Sequence, residues 1–246
     1  MRTLKLTIEY DGTDFEGWQV QRHKSSERRT VQAVLERTFQ QILQERVRVV
    51  GSGRTDSGVH AAGQVAHLRT RSRLPVHRLF QSVNSLLPAD VAVRSLEEAP
   101  AAFHAQRGAK RKRYRYTISL NRSPLTARHR WHVPARLNAP LMRREARPLV
   151  GRHDFRAFHA TGSVKTHARR TISGLTLRRH RDSITLDIVA DGFVYRMVRR
   201  IVGALVAVGR GLYPQGTVAR MVRGDRGAPV APTAPPQGLC LMQVDY

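Results

Sequence analysis

VRVVGSGRTDSGVHAAGQVAHL, residues 47–68, contains a glycine-rich turn between two apolar, strand-like runs. The first run ends at Val50, and the second covers Gln64 to Leu68. The glycines of the turn permit left-handed backbone angles and let another molecule approach closely. The stretch therefore predicts a strand, a turn and a second strand, with the turn at the rim of a rigid scaffold, where functional sites are commonly built.

The turn contains one carboxylate, Asp56, with the guanidinium of Arg54 two residues before it. In an extended backbone, alternate side chains point to the same side, so both groups would face one way. A guanidinium this near can stabilise and orient the carboxylate through a charge-assisted hydrogen bond. An aspartate in such a turn more often only holds the turn through its own backbone. The turn by itself leaves both roles open.

The segments around this turn predict the order strand, helix, strand, strand, helix, strand. Residues 4–10 alternate between apolar and polar types, which is typical of a half-buried strand. Thr30 is a suitable N-cap for the amphipathic helix that follows it. After the two strands around Asp56 come a helix over about 75–86 and a strand near 91–93. This order is that of a ferredoxin-like, or split βαβ, domain.

The second half of the chain repeats the same order more loosely. Its predicted elements are a strand at 114–120, a helix at 140–150, a hairpin over 175–188, a largely apolar helix at 193–208 and a strand at 239–244. We therefore predict an α+β fold of two ferredoxin-like (βαββαβ) halves that form a continuous, mainly antiparallel sheet with a central basic cleft. The predicted domains are residues 1–106, which carry the Asp56 turn, and residues 107–246.

The chain is strongly basic, with 43 lysines and arginines against 18 aspartates and glutamates and a formal net charge of +25. Because this charge is spread along all 246 residues, it favours a polyanionic partner, most often nucleic acid. Hydrophobic residues make up 41% of the chain, which is enough for a folded core, and no apolar run is long enough to span a bilayer. The single cysteine, Cys240, and the lack of a signal segment after Met1 indicate a cytoplasmic protein.

The densest basic and aromatic segment is KRKRYRY, at residues 110–116. In a strand, Tyr114 would face the same side as the second tyrosine of the segment, while Arg113 and Arg115 would line the other side. Arginines neutralise phosphates and tyrosines stack on exposed bases, so these three residues are candidate substrate contacts. The alternative is a solvated edge strand whose tyrosines pack on the core.

Four arginines flank the predicted helix at 193–208. They are Arg196, Arg199, Arg200 and Arg210. They could form a second phosphate-binding face, in which Arg199 is our candidate contact, or they could keep the ends of the helix soluble. The sequence does not decide between these two roles.

Other site chemistries find little support. GSGRTD at 51–56 is one residue short of a dinucleotide fingerprint and leads into a strand where that fold requires a helix. The sequence has no phosphate-binding Gly-Lys-Ser/Thr loop, no His-Glu-x-x-His motif and no Gly-x-Ser-x-Gly elbow. The nearest histidine pair, His129 and His132, has no carboxylate in ligand spacing. We expect no cofactor and no metal.

GRTDSGVHA, at residues 53–61, resembles the catalytic motif of the TruA-type tRNA pseudouridine synthases. Further segments match that family in order and cover nearly the whole chain. They are EYDG at 9–12 with Phe15, GWQ at 17–19 and Gln21, TVQ at 30–32, NSLLP at 84–88, FHA at 103–105, KRYRY at 112–116, GRHDF at 151–155, FVYRMVR at 193–199 and GLCL at 238–241. So many matches in register make the resemblance specific.

The resemblance implies that Asp56 is the nucleophile, that Arg54 pairs with it and that Tyr114 packs beside the target base. It also implies a homodimer that acts on uridines at positions 38, 39 and 40 in the anticodon stem-loop of tRNA. The family usually has an arginine directly after FHA, where this chain has Gln106 followed by Arg107. That departure concerns one expected tRNA contact, at position 106, and does not affect the residues expected to carry out the reaction.

Converting uridine to pseudouridine requires no redox change, hydrolysis or phosphate energy, which agrees with the missing cofactor motifs. A carboxylate can open the glycosidic bond by attacking the sugar or the base, or by removing a sugar proton. The sequence does not distinguish these routes for Asp56.

Three other functions are alternatives to a tRNA pseudouridine synthase. A non-catalytic RNA-binding or ribosome-assembly protein would explain the charge but not the Asp56 motif. A related synthase acting on ribosomal RNA would ordinarily carry different sequences around that motif. A dinucleotide-binding oxidoreductase is the weakest alternative.

Overall fold

The structure, a computed structural model, describes residues 1–20, 29–160 and 168–246. The chain divides into two compact units, residues 1–110 with 241–246, and residues 111–240. The fold is mixed α+β with a large, open and mostly antiparallel sheet, which confirms the expected fold class. The domain limits inferred from the sequence stay a prediction. No helix in the described part of the chain has the length and apolar character that a membrane span requires.

The first unit follows the predicted order of strands and helices. Its elements are β1 (Arg2–Tyr10), α1 (Val31–Leu43), β2 (Val50–Gly51), β3 (His60–Thr70), α2 (Val76–Leu86) and β4 (Val91–Ala99). β1 lies between β4 and β3 and pairs antiparallel with both, while β2 pairs antiparallel with β3. The resulting strand order, β4-β1-β3-β2, is the one that a ferredoxin-like domain has.

The core of this unit lies between the sheet and its helices. Every second residue of β1 from Leu4 to Tyr10 is buried, as the alternation predicted. The Thr30 side chain accepts a hydrogen bond from the Ala33 N–H at 3.3 Å, so α1 is capped as expected. Leu35 and Phe39 on the inner side of α1 are fully buried.

β2 is shorter than the apolar run at 47–50 suggested, because the backbone of Val49 is bound by α1 and not by a strand. The Val49 N–H donates to the Glu36 carboxylate at 2.9 Å, and its carbonyl accepts from the Gln32 amide at 3.1 Å. The prediction of a full strand before the Asp56 turn was therefore wrong in length. β4, in contrast, extends well beyond the predicted 91–93.

In its described residues, the second unit contains five strands and three α-helices, and one further strand begins in it. They are β5 (Arg111–Ser119), β6 (Trp131–His132), α3 (Ala139–Ala146), β7 (Gly151–Asp154), β8 (Arg169–Arg179), β9 (Ser183–Ala190), α4 (Met197–Gly209), α5 (Thr217–Val222) and β10 (Leu239–Asp245). β9 pairs antiparallel with β5 and β8, β7 pairs antiparallel with β8, and the short β6 pairs parallel with β5. β10 continues into the first unit from residue 241.

Two helices of this unit differ from their predicted limits. The apolar helix expected from 193 begins only at Met197, because Arg196 has a left-handed backbone with φ 59°. The helix expected over 140–150 ends at Ala146 and gives way to a single 3-10 turn at Arg147–Leu149. Pro148 lies in that turn and has no N–H to continue an α-helix.

A buried carboxylate links α3 to α5. Glu145, on α3, is almost fully buried and accepts hydrogen bonds from the Gly216 N–H at 2.6 Å and the Val218 N–H at 3.1 Å. These two N–H groups belong to the first turn of α5, where helices leave backbone donors without intrahelical partners.

We expect Glu145→Ala to lower the free energy of unfolding by about 2–4 kcal/mol, because it leaves one part-buried and one buried donor unsatisfied. Glu97→Ala is the control: its carboxylate is exposed and pairs with Lys5 at 2.8 Å, so its loss is expected to cost less than about 1 kcal/mol. Urea denaturation of both variants measures the difference. Equal effects would show that Glu145 does not hold α5.

Candidate active site

The turn that carries Asp56 connects β2 to β3 in the first unit. Arg54 is exposed, Thr55 is buried and Asp56 is half-buried. This alternation of exposure is typical of an extended backbone, in which neighbouring side chains face opposite ways. It agrees with the prediction that Arg54 and Asp56 lie on the same side. Their ion pair stays a prediction.

Backbone hydrogen bonds hold this turn against the segment after β1. The Trp18 N–H donates to the Thr55 carbonyl at 3.1 Å, and the Gly58 N–H donates to the Phe15 carbonyl at 3.2 Å. Gly17 has φ +90°, and a Cβ at this position would lie 2.6 Å from the Thr55 carbonyl oxygen. The close approach therefore requires glycine at position 17. In the sequence, Gly17 was only part of a segment that matches the family, and nothing there explained why it is glycine.

Buried side chains hold the same turn from β1 and β3. The Tyr10 hydroxyl and the Thr55 hydroxyl are 2.8 Å apart and hydrogen-bonded. The Ser52 hydroxyl donates to the Gln64 side-chain oxygen at 2.7 Å, and the Gln64 amide donates to the Gly53 carbonyl at 3.0 Å. Sequence reasoning gave none of these residues a role in holding the turn, although an amide within an apolar strand was an available signal.

His60, at the end of the motif, has a structural contact. It is buried, and its Nδ1 accepts a hydrogen bond from the Gly12 N–H at 3.0 Å. The Asp11 carboxylate lies 3.1 Å from the same nitrogen. These contacts tie the start of β3 to the segment that follows β1.

Tyr114 lies on β5 in the second unit and is 8% exposed. Its ring packs edge-on against Phe193, with the centroids 5.1 Å apart and the planes at 88°. Sequence reasoning did not identify Phe193 as part of this aromatic wall. Two residues on, Tyr116 is fully buried and donates to the Pro235 carbonyl at 2.8 Å, and burial raises the pKa of its phenol far above the ordinary value. Tyr116 is therefore a core residue, as the alternative with tyrosines packed on the core predicted. β5 pairs with both β6 and β9, however, so it is not the solvated edge strand of that alternative.

The arginines of β5 lie on the opposite face from these tyrosines, as predicted. Arg113 is exposed. Arg115 donates to Asp187 on β9 through Nε at 2.9 Å and Nη2 at 3.2 Å. Arg178 on β8 lies 3.7 Å from the same carboxylate, which is 15% exposed. One aspartate thus engages two of the cations on this face.

The four arginines around α4 have different environments. Arg199 is 9% exposed and donates through Nε to the carbonyl of residue 234 at 2.7 Å. Arg200 donates to the carbonyl of residue 231 at 3.0 Å, and burial together with the nearby positive charge of Arg196 lowers its pKa. Arg196 and Arg210 are exposed. Two of the four therefore anchor the proline-rich segment, and the set does not form a uniform phosphate-binding face.

The candidate residues are thus distributed over both units. Arg54 and Asp56 belong to the first unit, and Tyr114, Arg113, Arg115 and Arg199 belong to the second.

Comparison with known proteins adds an independent line of support. A family model described as tRNA pseudouridine synthase matches residues 6–106 and 146–246. Proteins named tRNA pseudouridine synthase A match the whole chain over their own full length. They are 45% identical in Geotalea daltonii, 43% in Geobacter sulfurreducens and 41% in Thermoanaerobacter sp. (strain X514). The resemblance seen in the sequence motifs is confirmed, and this chain belongs to the tRNA pseudouridine synthase family.

Proposed function

We propose that this protein converts uridine to pseudouridine at positions 38, 39 and 40 in the anticodon stem-loop of tRNA, with Asp56 as the nucleophile. The observation that carries the proposal is the Asp56 turn, in a chain of this family. Its carboxylate is half-buried, and the backbone on either side is held by hydrogen bonds to the segment after β1 and to β3. A fixed carboxylate is what a reaction without a cofactor needs.

The reaction exchanges the bond between the sugar and a base nitrogen for a bond to a base carbon. It can begin with attack by a carboxylate on the sugar or the base, or with removal of a sugar proton. In each route Asp56 acts as an anion. Arg54, two residues away and on the same side of the turn, would stabilise that charge and orient it.

Tyr114 is proposed to contact the target base. A base inside a stem must leave its stack before its glycosidic bond can react, and an aromatic wall can hold it once it has turned out. Phe193 supports the Tyr114 ring from the side, so the ring is held in one orientation. Little of Tyr114 is exposed, so we propose that the base meets an edge of the ring more than its whole face.

Contacts to the RNA backbone are assigned to Arg113, Arg115 and Arg199. Arg113 is exposed, whereas Arg115 is already paired with Asp187. Arg199 is 9% exposed, and its Nε donates to the carbonyl of residue 234 at 2.7 Å. Gln106 and Arg107, where the family usually has an arginine first, are both exposed.

Two further parts of the proposal are carried over from the family resemblance. We propose that the enzyme is a homodimer and that it acts in the cytoplasm, where its tRNA substrate is found. Sedimentation of the purified protein tests the dimer, and a monomer that is fully active would contradict it.

We expect Asp56→Asn to bind tRNA with nearly wild-type affinity and to lose at least about a thousandfold in turnover, because it removes the nucleophile but no phosphate contact. A pseudouridine map of unmodified tRNA incubated with each protein is the measurement. Asp182→Asn, which neutralises an exposed aspartate in the second unit, is the control and should remain active.

Wild-type activity in Asp56→Asn would contradict the proposed nucleophile. Tight tRNA binding without pseudouridine from the wild type would instead favour the non-catalytic RNA-binding alternative. Pseudouridine outside the anticodon stem-loop would retain the reaction and reject the proposed target.

Arg113→Ala is expected to weaken tRNA binding and to reduce the slope of log affinity against log salt by about 1, because one phosphate contact is lost. Arg115→Ala should change the slope less, since its guanidinium is already occupied by Asp187. Binding titrations at several salt concentrations compare the two. An unchanged slope for Arg113→Ala would remove it from the phosphate contacts.

Asp187→Asn should strengthen tRNA binding and steepen its salt dependence, because the change releases Arg115 and Arg178 from their shared carboxylate. Asp182→Asn alters the net charge equally, but its carboxylate accepts from Asn121 at 2.8 Å. The same titrations distinguish the two variants. Equal effects would mean that net charge alone, and not release of these arginines, sets the affinity.

A further inference from the structure

We propose that Tyr10 and Gln64 are positioning residues of the reaction, which act by holding the peptide on both sides of Arg54. Their buried hydrogen bonds would set the direction in which the Asp56 carboxylate points. This inference rests on the proposed role of Asp56, and it concerns residues that do not themselves contact the RNA.

Tyr10 holds the turn between its two functional side chains. It is the last residue of β1, where it pairs with Ala61 on β3 and with Val91 on β4, so its backbone is held on both sides. Its hydroxyl bonds the hydroxyl of Thr55 at 2.8 Å, and both side chains are buried. Thr55 separates Arg54 from Asp56 in the chain, so a Thr55 side chain fixed toward Tyr10 directs both neighbours to the other side.

Gln64 holds the turn just before Arg54. Its amide is fully buried and bonds two consecutive residues, the Ser52 hydroxyl through its oxygen and the Gly53 carbonyl through its nitrogen. Ser52 is also fixed through its backbone, since its N–H donates to the Val65 carbonyl at 2.7 Å. The peptide that enters the turn is therefore tied to β3 at three points.

These bonds place polar atoms where apolar side chains would fill the same space. A pair of buried hydrogen-bonded groups contributes little more to stability than a well-packed apolar pair, but it specifies direction and distance. A displacement of about 1 Å at a reacting group can lower the rate about a hundredfold. We therefore expect these contacts to affect turnover more than folding or RNA affinity.

Tyr10→Phe removes one hydroxyl and keeps the ring that packs near Trp18, with the centroids 6.2 Å apart. We expect it to lower kcat by roughly 10- to 100-fold while KM and tRNA affinity stay close to wild type. Thr55→Val should behave in the same way, and Thr55→Ser, which keeps a hydroxyl, should recover most of the lost rate. Single-turnover rates at saturating enzyme measure the effect.

Tyr246→Phe is the matched control. The Tyr246 hydroxyl donates to the Ala105 carbonyl at 2.6 Å in the same unit, so this variant also removes a tyrosine hydrogen bond, but one outside the Asp56 turn. Its kcat should equal that of the wild type. If Tyr10→Phe and Tyr246→Phe lose kcat equally, or if neither does, the proposed positioning role of Tyr10 is wrong.

Gln64→Leu tests the second contact, and we expect the same loss of kcat with KM unchanged. Should this variant fail to fold, Ser52→Ala removes one of the two bonds with a smaller change of volume. Wild-type kcat in Ser52→Ala would remove Gln64 from the positioning residues. Active Asp56→Asn would overturn the proposed function itself, whereas inactive Asp56→Asn together with fully active Tyr10→Phe and Ser52→Ala would overturn only this inference.

Discussion

Antiparallel pairing between β1 and β3 is the constraint on which the candidate site depends. It sets Ile8 opposite Gln64 and Tyr10 opposite Ala61, so the end of β1 and the start of β3 are neighbours. Side chains from two adjacent strands can therefore reach the turn that carries Asp56. Because side chains alternate between the faces of a strand, a slip of one residue would turn Gln64 away from that turn. The hydrogen bonds of the turn thus depend on a register that the apolar face of β1 enforces.

Sequence patterns predicted a helix or strand well where its structure depends only on residues within the same segment. The alternation in β1 and the Thr30 cap of α1 are of this kind, since each depends on residues a few positions apart. β2 is short for a reason that lies elsewhere in the chain: α1 side chains occupy the backbone groups of Val49. α4 begins later than predicted because Arg196 has a left-handed backbone. An arginine gives no sign of such a conformation in the sequence.

In the candidate site too, features within one segment were predictable and contacts between distant segments were not. Arg54 and Asp56 were recognisable because their motif is contiguous, and their alternation follows from an extended backbone. The contacts that hold them were not, since Tyr10 and Thr55 are 45 positions apart in the chain. The pairing of Arg115 with Asp187 depends likewise on the register of β5 and β9. Sequence reasoning therefore identified the groups proposed to do chemistry, and the structure supplies the groups that we propose to orient them.

Asp187 shows why an excess of positive charge is not sufficient for the proposed function. Phosphate contacts hold an RNA but carry no information about which nucleotide is bound. A strand face with every arginine available would bind many RNAs in many registers, and this would compete with placing one uridine at Asp56. Asp187 lies opposite Arg115 on the middle strand and occupies two cations of that face. In the proposed function, this pairing would lower the affinity that every RNA shares, so that the shape of the bound RNA and the fit of one base would contribute more to selection.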